Sequence, residues 1–152
     1  MFHEILTNKA LIIPLCSWAI AQLIKVIVVL IRKERLDIRY FVVSGGMPSS
    51  HSAFVAALAT TVAFIEGPGS VAFGIAVIFA LVIMYDAAGI RQSVGQQAAV
   101  LNRILQELGT RRPAKVLGQE FRELVGHTPF QVIVGGILGI GMAWLWVIIT
   151  GV

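Results

Sequence analysis

The sequence predicts an all-α integral membrane protein, a helical bundle with about four transmembrane helices. Of its 152 residues, 57% are hydrophobic and 13% are charged, whereas soluble domains average about 45–50% apolar and about 25% charged residues. The apolar residues form long runs, and most basic residues fall between those runs. We therefore expect one membrane domain over residues 1–152, and we attribute the net charge of +4 to membrane topology rather than to nucleic-acid binding.

Three apolar runs are long enough to cross the hydrocarbon layer, which takes roughly 20 residues. They cover residues 10–31, 71–90 and 130–152. A fourth run, 51–65, is short and rich in Ala and Thr, so we expect a short helix, a tilted helix or one shielded by its neighbours. The Glu-Gly-Pro-Gly sequence at 66–69 predicts a tight turn after it.

The placement of basic residues predicts the orientation in the membrane. Segment 32–50 carries four of them and segment 91–129 carries six, whereas the opposite side carries Lys9. Because basic loops favour the cytoplasm, we expect a multi-pass cell-membrane protein with both segments cytoplasmic and both termini outside. Apolar residues at helical spacing predict amphipathic helices near 94–108 and 114–125. These helices either lie on the membrane surface or cap the bundle.

The sequence Gly-Gly-Met-Pro-Ser-Ser-His, residues 45–51, predicts an anion-binding helix start at the cytoplasmic end of the second span. The glycines let the backbone approach a ligand, and Ser49 and Ser50 are suitable helix caps. The free N–H groups at a helix start favour phosphate. His51 lies in the first turn, where an imidazole can donate a proton to a leaving oxygen. The alternative is an ordinary capped helix with an interfacial histidine.

Four further polar residues are expected at the same membrane face. Lys25 lies about 9 Å inside the first span, where a charge usually faces a cavity or a partner, and a structural pair with Asp86 is the alternative. Arg91 can grip phosphate with its planar guanidinium or can act as a cytoplasmic anchor. His127 begins the last span, and an imidazole can attack phosphorus. No cluster has zinc-ligand spacing, so we expect no metal and no other cofactor.

These motifs resemble the divergent branch of the type 2 phosphatidic acid phosphatase (PAP2) superfamily, which also includes the vanadium haloperoxidases. The resemblance covers nearly the whole chain and is carried by GGMPSSHSA at 45–53, YDAAGIR at 85–91 and VGHTPFQV at 125–132. It implies a PAP2-like helical bundle that hydrolyses a phosphomonoester through a phospho-histidine, without a metal.

The resemblance also implies roles for individual residues. It makes His127 the nucleophile and His51 the general acid. It implies phosphate binding by a loop, by a lysine–arginine pair and by a later arginine, for which the candidates are Ser49, Ser50, Lys25, Arg39, Arg91 and Arg122. The superfamily pattern has an acid four residues after the nucleophile, whereas this chain has Gln131 there. Asp86 is a candidate to supply the acid from another helix.

The resemblance implies a lipid phosphate as substrate, and phosphatidic acid, phosphatidylglycerophosphate and polyprenyl phosphates all fit. Gln131 keeps open the alternative of a non-catalytic protein that binds anionic lipid head groups or a partner protein. The superfamily bundle typically has six spans, so a homodimer is one way to complete the enclosure. Gly135 and Gly139 form a GxxxG pair that suits either a dimer or an internal helix contact.

Overall fold

The computed structural model describes residues 2–31, 46–107 and 127–151. Within these residues the secondary structure consists of six helices and no strand. The helices are α1 (Phe2–Leu6), α2 (Lys9–Ile31), α3 (Ser50–Glu66), α4 (Val71–Ala88), α5 (Ile90–Glu107) and α6 (Pro129–Thr150). The expected all-α membrane bundle is confirmed. Arg39, Arg122 and the helix expected at 114–125 lie outside the described residues.

The helix bounds agree closely with the apolar runs of the sequence. Helices α2 and α6 are long and apolar enough to cross a membrane, and so is the stretch Val71–Leu101, which joins α4 to most of α5. The two helices meet at Gly89, whose φ of −109° and ψ of −75° remain in the right-handed helical region. Helix α5 confirms the helix expected near 94–108, whereas its place at the membrane surface stays a prediction. The short helix α1 was not predicted.

Helix α3 is the central helix of the bundle. Its 17 residues span about 25 Å at 1.5 Å per residue, less than the hydrocarbon thickness of about 30 Å. It packs against α2, α4 and α6, so the expectation of a helix shielded by its neighbours is confirmed. The hydroxyls of Thr60 and Thr61 donate to the carbonyls of Ala56 and Ala57, at 2.8 and 2.7 Å. These bonds satisfy the polar groups of an otherwise apolar helix.

The predicted turn after α3 is present, and its residues cap both neighbouring helices. Gly67 ends α3 with a φ of +84°, a backbone conformation that glycine adopts without steric cost. Ser70 precedes α4, and its hydroxyl oxygen accepts from the Phe73 N–H at 3.1 Å. The Ser70 hydroxyl also donates to the Gly67 carbonyl at 2.8 Å. The chain therefore reverses between α3 and α4 within a few residues.

Helices α3 and α6 run parallel and touch along faces of small residues. A Cβ atom added at Gly135 would overlap the Ser49 carbonyl, and one added at Gly139 would overlap the backbone of Ala53 and Ala57. From Gly135 to Gly139 along α6, the contact moves from Ser49 to Ala53 and Ala57 along α3, so the two helices run in the same direction. The GxxxG pair is used inside the protomer, as small-residue motifs allow. A homodimer stays a prediction, and it would have to use another surface.

Helices α2 and α4 run antiparallel to α3. Along α2, the chain passes from Ser17, whose hydroxyl donates to the Ala53 carbonyl at 3.3 Å, to Lys25, which donates to Ser50. The last turns of α2 and α4 and the first turns of α3 and α6 therefore meet at one end of the bundle. We call this end the polar end, because most of the buried polar side chains lie there.

The outward faces of the long helices are apolar. Highly exposed side chains include Val71 at 80%, Ile149 at 72% and Ile137 at 65%. A soluble protein rarely leaves such a continuous apolar surface in water, whereas in a bilayer the same surface meets lipid chains. The exposed surface therefore agrees with the membrane assignment from the sequence.

The close approach of α3 and α6 predicts a large effect of one methyl group. Gly139→Ala should lower the unfolding free energy by roughly 1–3 kcal/mol, because the added Cβ meets backbone atoms that cannot rotate away. The measurement is the apparent melting temperature of the purified protein in detergent. Gly141→Ala is the matched control on the same helix, since nothing lies within 4 Å of its added Cβ. Equal melting temperatures for the two variants would contradict the described contact.

Candidate functional site

The polar end contains a buried cluster of polar side chains. In the described part of the chain, the buried polar or charged residues at this end are Lys25, Ser49, Ser50, Ser52 and His127. Each is at most 6% exposed. None of the buried side chains in the three described segments is acidic. The cluster therefore combines a cation, hydroxyls and an imidazole in a region shielded from water.

Ser49 forms the cap of α3 and links it to α6. Its hydroxyl oxygen accepts from the Ser52 N–H at 3.4 Å and from the Ser52 hydroxyl at 2.9 Å. Its backbone N–H donates to the Gln131 carbonyl at 3.1 Å. The predicted capped helix start is therefore present. The bond to the Gln131 carbonyl fixes the start of α3 beside the first turn of α6, so the positive ends of two helix dipoles lie side by side.

Lys25 reaches the start of α3 from the neighbouring helix. Its ammonium group donates to the Ser50 hydroxyl at 3.2 Å. The loop before α3 passes over its side chain, since a Cβ added at Gly46 would lie 3.9 Å from the Lys25 Cδ. The hydrogen bond of Lys25 thus goes to a hydroxyl. The described residues contain no ion pair between Lys25 and Asp86, the alternative left open by the sequence.

The imidazole of His127 is held by the first turn of α6. Gln131 Oε1 accepts from the Thr128 backbone N–H at 3.1 Å, and Thr128 Oγ1 accepts from the Gln131 N–H at 3.4 Å. This reciprocal pair is a capping box. A backbone N–H can only donate, so the amide atom that faces Thr128 must be the oxygen.

The same oxygen determines which nitrogen of His127 carries the proton in the neutral ring. Nδ1 of His127 lies 3.3 Å from Gln131 Oε1. Because that oxygen can only accept, Nδ1 must be the N–H donor, and Nε2 of the neutral imidazole then has the lone pair. Nε2 is also buried. Gln131 therefore orients His127 with Nε2 as its nucleophilic or basic atom.

His51 lies on a different side of α3 from the residues that contact α6. Ala53 faces α6, since a Cβ added at Gly139 would overlap its carbonyl, and His51, two residues earlier in the same helix, lies about 200° round the helix axis from Ala53. His51 lines an apolar groove between α2, α3 and α4, together with side chains such as Trp18 and Phe79. His51 and His127 therefore approach the start of α3 from opposite sides.

Two further candidate residues, Asp86 and Arg91, lie on α4 and α5. Asp86 lies near the end of α4, in a shallow apolar hollow formed with residues of α4 and with Ile90. Arg91 belongs to the first turn of α5. The hydrogen bond at His127 Nδ1 is made by Gln131, so the role expected for Asp86 stays a prediction, as do the phosphate-binding roles of the arginines.

Two contributions to the site were missed at the level of the sequence. The first is Ser52, which completes the cap with Ser49. The second is the capping box at Thr128 and Gln131. A Thr followed three residues later by Gln is a recognised sequence signature of a helix start, so this signal was available.

The protein is a multi-pass helical membrane protein. Its apolar spanning helices surround a central α3, and its buried polar groups lie mostly at one end. The chain belongs to the divergent PAP2 family, whose sequence profile matches residues 6–142. It is 38% identical over 146 residues to the uncharacterized membrane protein YuiD of Bacillus subtilis (strain 168), an alignment that covers 90% of this chain and 92% of that protein. No solved structure matches the chain. The resemblance to the divergent PAP2 family, inferred from the sequence motifs, is thus confirmed.

The contact between Gln131 and His127 predicts the effect of restoring an acid. Gln131→Glu should preserve the cap, because Glu also serves at this position of a capping box. Its carboxylate should stabilise the imidazolium, so the midpoint of the His127 titration should move to higher pH than in the wild type. The measurement is an NMR titration of protein labelled with ¹⁵N at its histidines.

Gln131→Ala is the control for the cap. It removes the acceptor from both Thr128 and His127 and should destabilise the protein by about 0.5–1.5 kcal/mol for each hydrogen bond lost. The signal of His3, which is exposed on α1, should be the same in all variants. A wild-type spectrum with the proton of neutral His127 on Nε2 would contradict the assigned orientation.

Proposed function

We propose that this protein is a metal-independent phosphatase that hydrolyses a lipid phosphomonoester at the cytoplasmic face of the cell membrane. The observation that carries the proposal is the composition of the polar end. A buried lysine, buried hydroxyls and the starts of two parallel helices converge there, and the buried side chains of the described residues include no acid. Membership of the divergent PAP2 family supports the same reaction class.

The electrostatics of the polar end favour a bound anion. Each helix start carries about half a positive charge, and the Lys25 ammonium adds a full charge while it is removed from water. Charges in a region of low dielectric interact strongly, so the three positive groups repel one another there. A phosphate group in front of α3 relieves this repulsion and accepts hydrogen bonds from backbone N–H groups.

The first chemical step is attack by His127. Nε2 of the neutral imidazole forms a bond to phosphorus while the bond from phosphorus to the ester oxygen breaks. The Gln131 amide oxygen holds the Nδ1 proton, and Lys25 and the helix starts stabilise the charge on the phosphoryl oxygens. His51, as the imidazolium, transfers its proton to the leaving oxygen, which departs as the alcohol.

The second step regenerates the enzyme. His51, now neutral, takes a proton from water as that water attacks the phosphoryl group. The bond from phosphorus to His127 Nε2 breaks, and inorganic phosphate is released. His51 thus acts as general acid in the first step and as general base in the second, while His127 is first the nucleophile and then the leaving group. Arg39, Arg91 and Arg122 are further candidates to bind the phosphate from the basic segments.

Gln131 favours a second candidate function, the binding of an anionic lipid head group without turnover. A neutral amide oxygen orients the imidazole but does not offset its charge after phosphoryl transfer. A hydrogen bond to a neutral group contributes about 0.5–1.5 kcal/mol, against about 1.5–3 kcal/mol when a charged group takes part. A site with Gln131 therefore binds the dianion through its positive groups but stabilises the phospho-histidine less than a carboxylate would.

The phosphatase proposal predicts phosphate release that depends on His127. Purified protein in mixed micelles should release inorganic phosphate from a long-chain phosphatidic acid, phosphatidylglycerophosphate or polyprenyl phosphate. His127→Ala should lower kcat by roughly three orders of magnitude or more, since the nucleophile is lost. His3→Ala is the matched control, because His3 is exposed on α1, away from the cluster, and it should retain wild-type activity.

The same assay separates the two candidate functions. Equal phosphate release by wild type and His127→Ala would exclude the histidine mechanism. Binding of the lipid phosphates with no release from any of them would favour the head-group-binding function instead.

The proposed sidedness predicts the accessibility of two positions that the structure places in exposed parts of the chain. In a Cys16→Ala background, which removes the single natural cysteine, Gly69→Cys should react with a membrane-impermeant maleimide in intact cells. Ser93→Cys should react only after the membrane is permeabilised, because α5 belongs to a basic segment. The opposite pattern would place the polar end outside the cell. Gly69 suits the test because nothing lies within 4 Å of an added Cβ.

A further inference from the structure

An apolar groove begins beside the polar end and faces the membrane. It has a volume of about 380 Å³ and is lined by Leu15, Trp18, His51, Phe54, Val55, Phe79 and Ile83. Trp18 and Phe79 are 40% and 48% exposed, so the groove is open on its lipid-facing side. His51 is the one titratable side chain in this lining.

His51 belongs both to this groove and to the proposed reaction. It lies in the first turn of α3 and follows the buried Ser49 and Ser50 directly. The rest of the lining on α3, Phe54 and Val55, lies one turn further into the membrane. The groove therefore leads from the proposed general acid into the region of the lipid chains.

The stereochemistry of phosphoryl transfer connects the groove with the substrate. The attacking atom and the leaving oxygen lie roughly in line on opposite sides of phosphorus. His127 belongs to the α6 side of the start of α3, where Ser49 bonds to Gln131. His51 lies about 200° round α3 from Ala53, which contacts α6 at Gly139. The leaving oxygen, and the hydrocarbon attached to it, must then lie on the His51 side.

We propose that this groove holds the hydrocarbon chain of the lipid phosphate next to the leaving oxygen, with that oxygen at His51. This inference rests on the proposed function and specifies its substrate as one whose leaving group is long and apolar. The occupant follows from the position of His51, since an ordinary lipid of the bilayer has no phosphomonoester to place at the start of α3. The exposed edge of the groove lets the rest of the chain remain in the bilayer.

A second apolar groove provides an internal control. It lies between α3, α4 and α6, has a volume of about 420 Å³, and includes Ala59, Phe73 and Leu81 in its lining. Its lining on α3 begins at Ala56, and it contains no histidine. Its size and apolar character resemble those of the first groove, but it does not reach the first turn of α3.

The test uses two photoactivatable lipids in vesicles of phosphatidylcholine that contain the full-length protein. One is a phosphatidic acid and the other a phosphatidylcholine, each with a diazirine at the same acyl carbon. The phosphatidic acid should label the first groove several-fold more than the phosphatidylcholine does, and both should label the second groove equally. Ile83→Trp fills the first groove and should abolish the preference, whereas Leu81→Trp, on the same helix in the second groove, should keep it.

Equal labelling of the first groove by both lipids, or a preference that survives Ile83→Trp, would overturn the proposal. Turnover gives an independent readout. For Ile83→Trp, the ratio of kcat/KM for long-chain phosphatidic acid to that for p-nitrophenyl phosphate should fall about tenfold, because binding energy of the chain is used at the reacting group. An unchanged ratio would also overturn it.

The labelling needs no turnover, so the two proposals can fail separately. Absence of hydrolysis by the wild type would overturn the phosphatase, while preferential labelling by phosphatidic acid would still assign the groove to a lipid phosphate. Hydrolysis without preferential labelling would support the phosphatase proposal and would exclude the first groove as the binding site of the hydrocarbon chain.

Discussion

The backbone contact between α3 and α6 is the constraint on which the rest of the structure depends. Gly135 and Gly139 have no side chains, so α6 lies directly against the backbone at Ser49, Ala53 and Ala57. In lipid, helices associate through close packing rather than through the hydrophobic effect, and this contact provides it. Because the pair is parallel, it brings two helix starts to one end, and the bond from Ser49 to the Gln131 carbonyl fixes their relative height.

This arrangement is electrostatically unfavourable unless an anion is present. Parallel neighbours place like dipole ends together, and Lys25 adds a cation that is 6% exposed. A bundle selected for stability alone would gain from antiparallel neighbours and from an apolar residue at position 25, since buried charges are costly to desolvate. Such a conflict between stability and charge is typical of a functional site, where residues that destabilise the fold locally are kept because the function needs them.

Much of the fold was predictable because lipid imposes simple requirements. Run length and the turn at 66–69 located the spanning helices of the three described segments, whereas the five-residue α1 was missed because it is too short to show a period. In the site, the capped start of α3 followed from its serines. The hydrogen-bond partner of Lys25 could not be predicted, since both Ser50 and Asp86 were compatible with the depth of Lys25 in the membrane. The GxxxG motif could not distinguish an internal contact from a dimer, because both need the same small residues.

Gln131 shows how the fold and the chemistry restrict each other. Its side chain accepts from Thr128 to cap α6 and also accepts from His127 Nδ1. The capping box accommodates Gln or Glu at this position, so the fold permits either a neutral or a charged partner for the imidazole. The neutral choice leaves the polar end more positive, which strengthens the attraction for a phosphate dianion. It also removes the carboxylate that would stabilise the imidazolium character of a phospho-histidine. Under the proposed function, the same residue therefore favours tight phosphate binding over fast turnover, while it keeps the start of α6 intact.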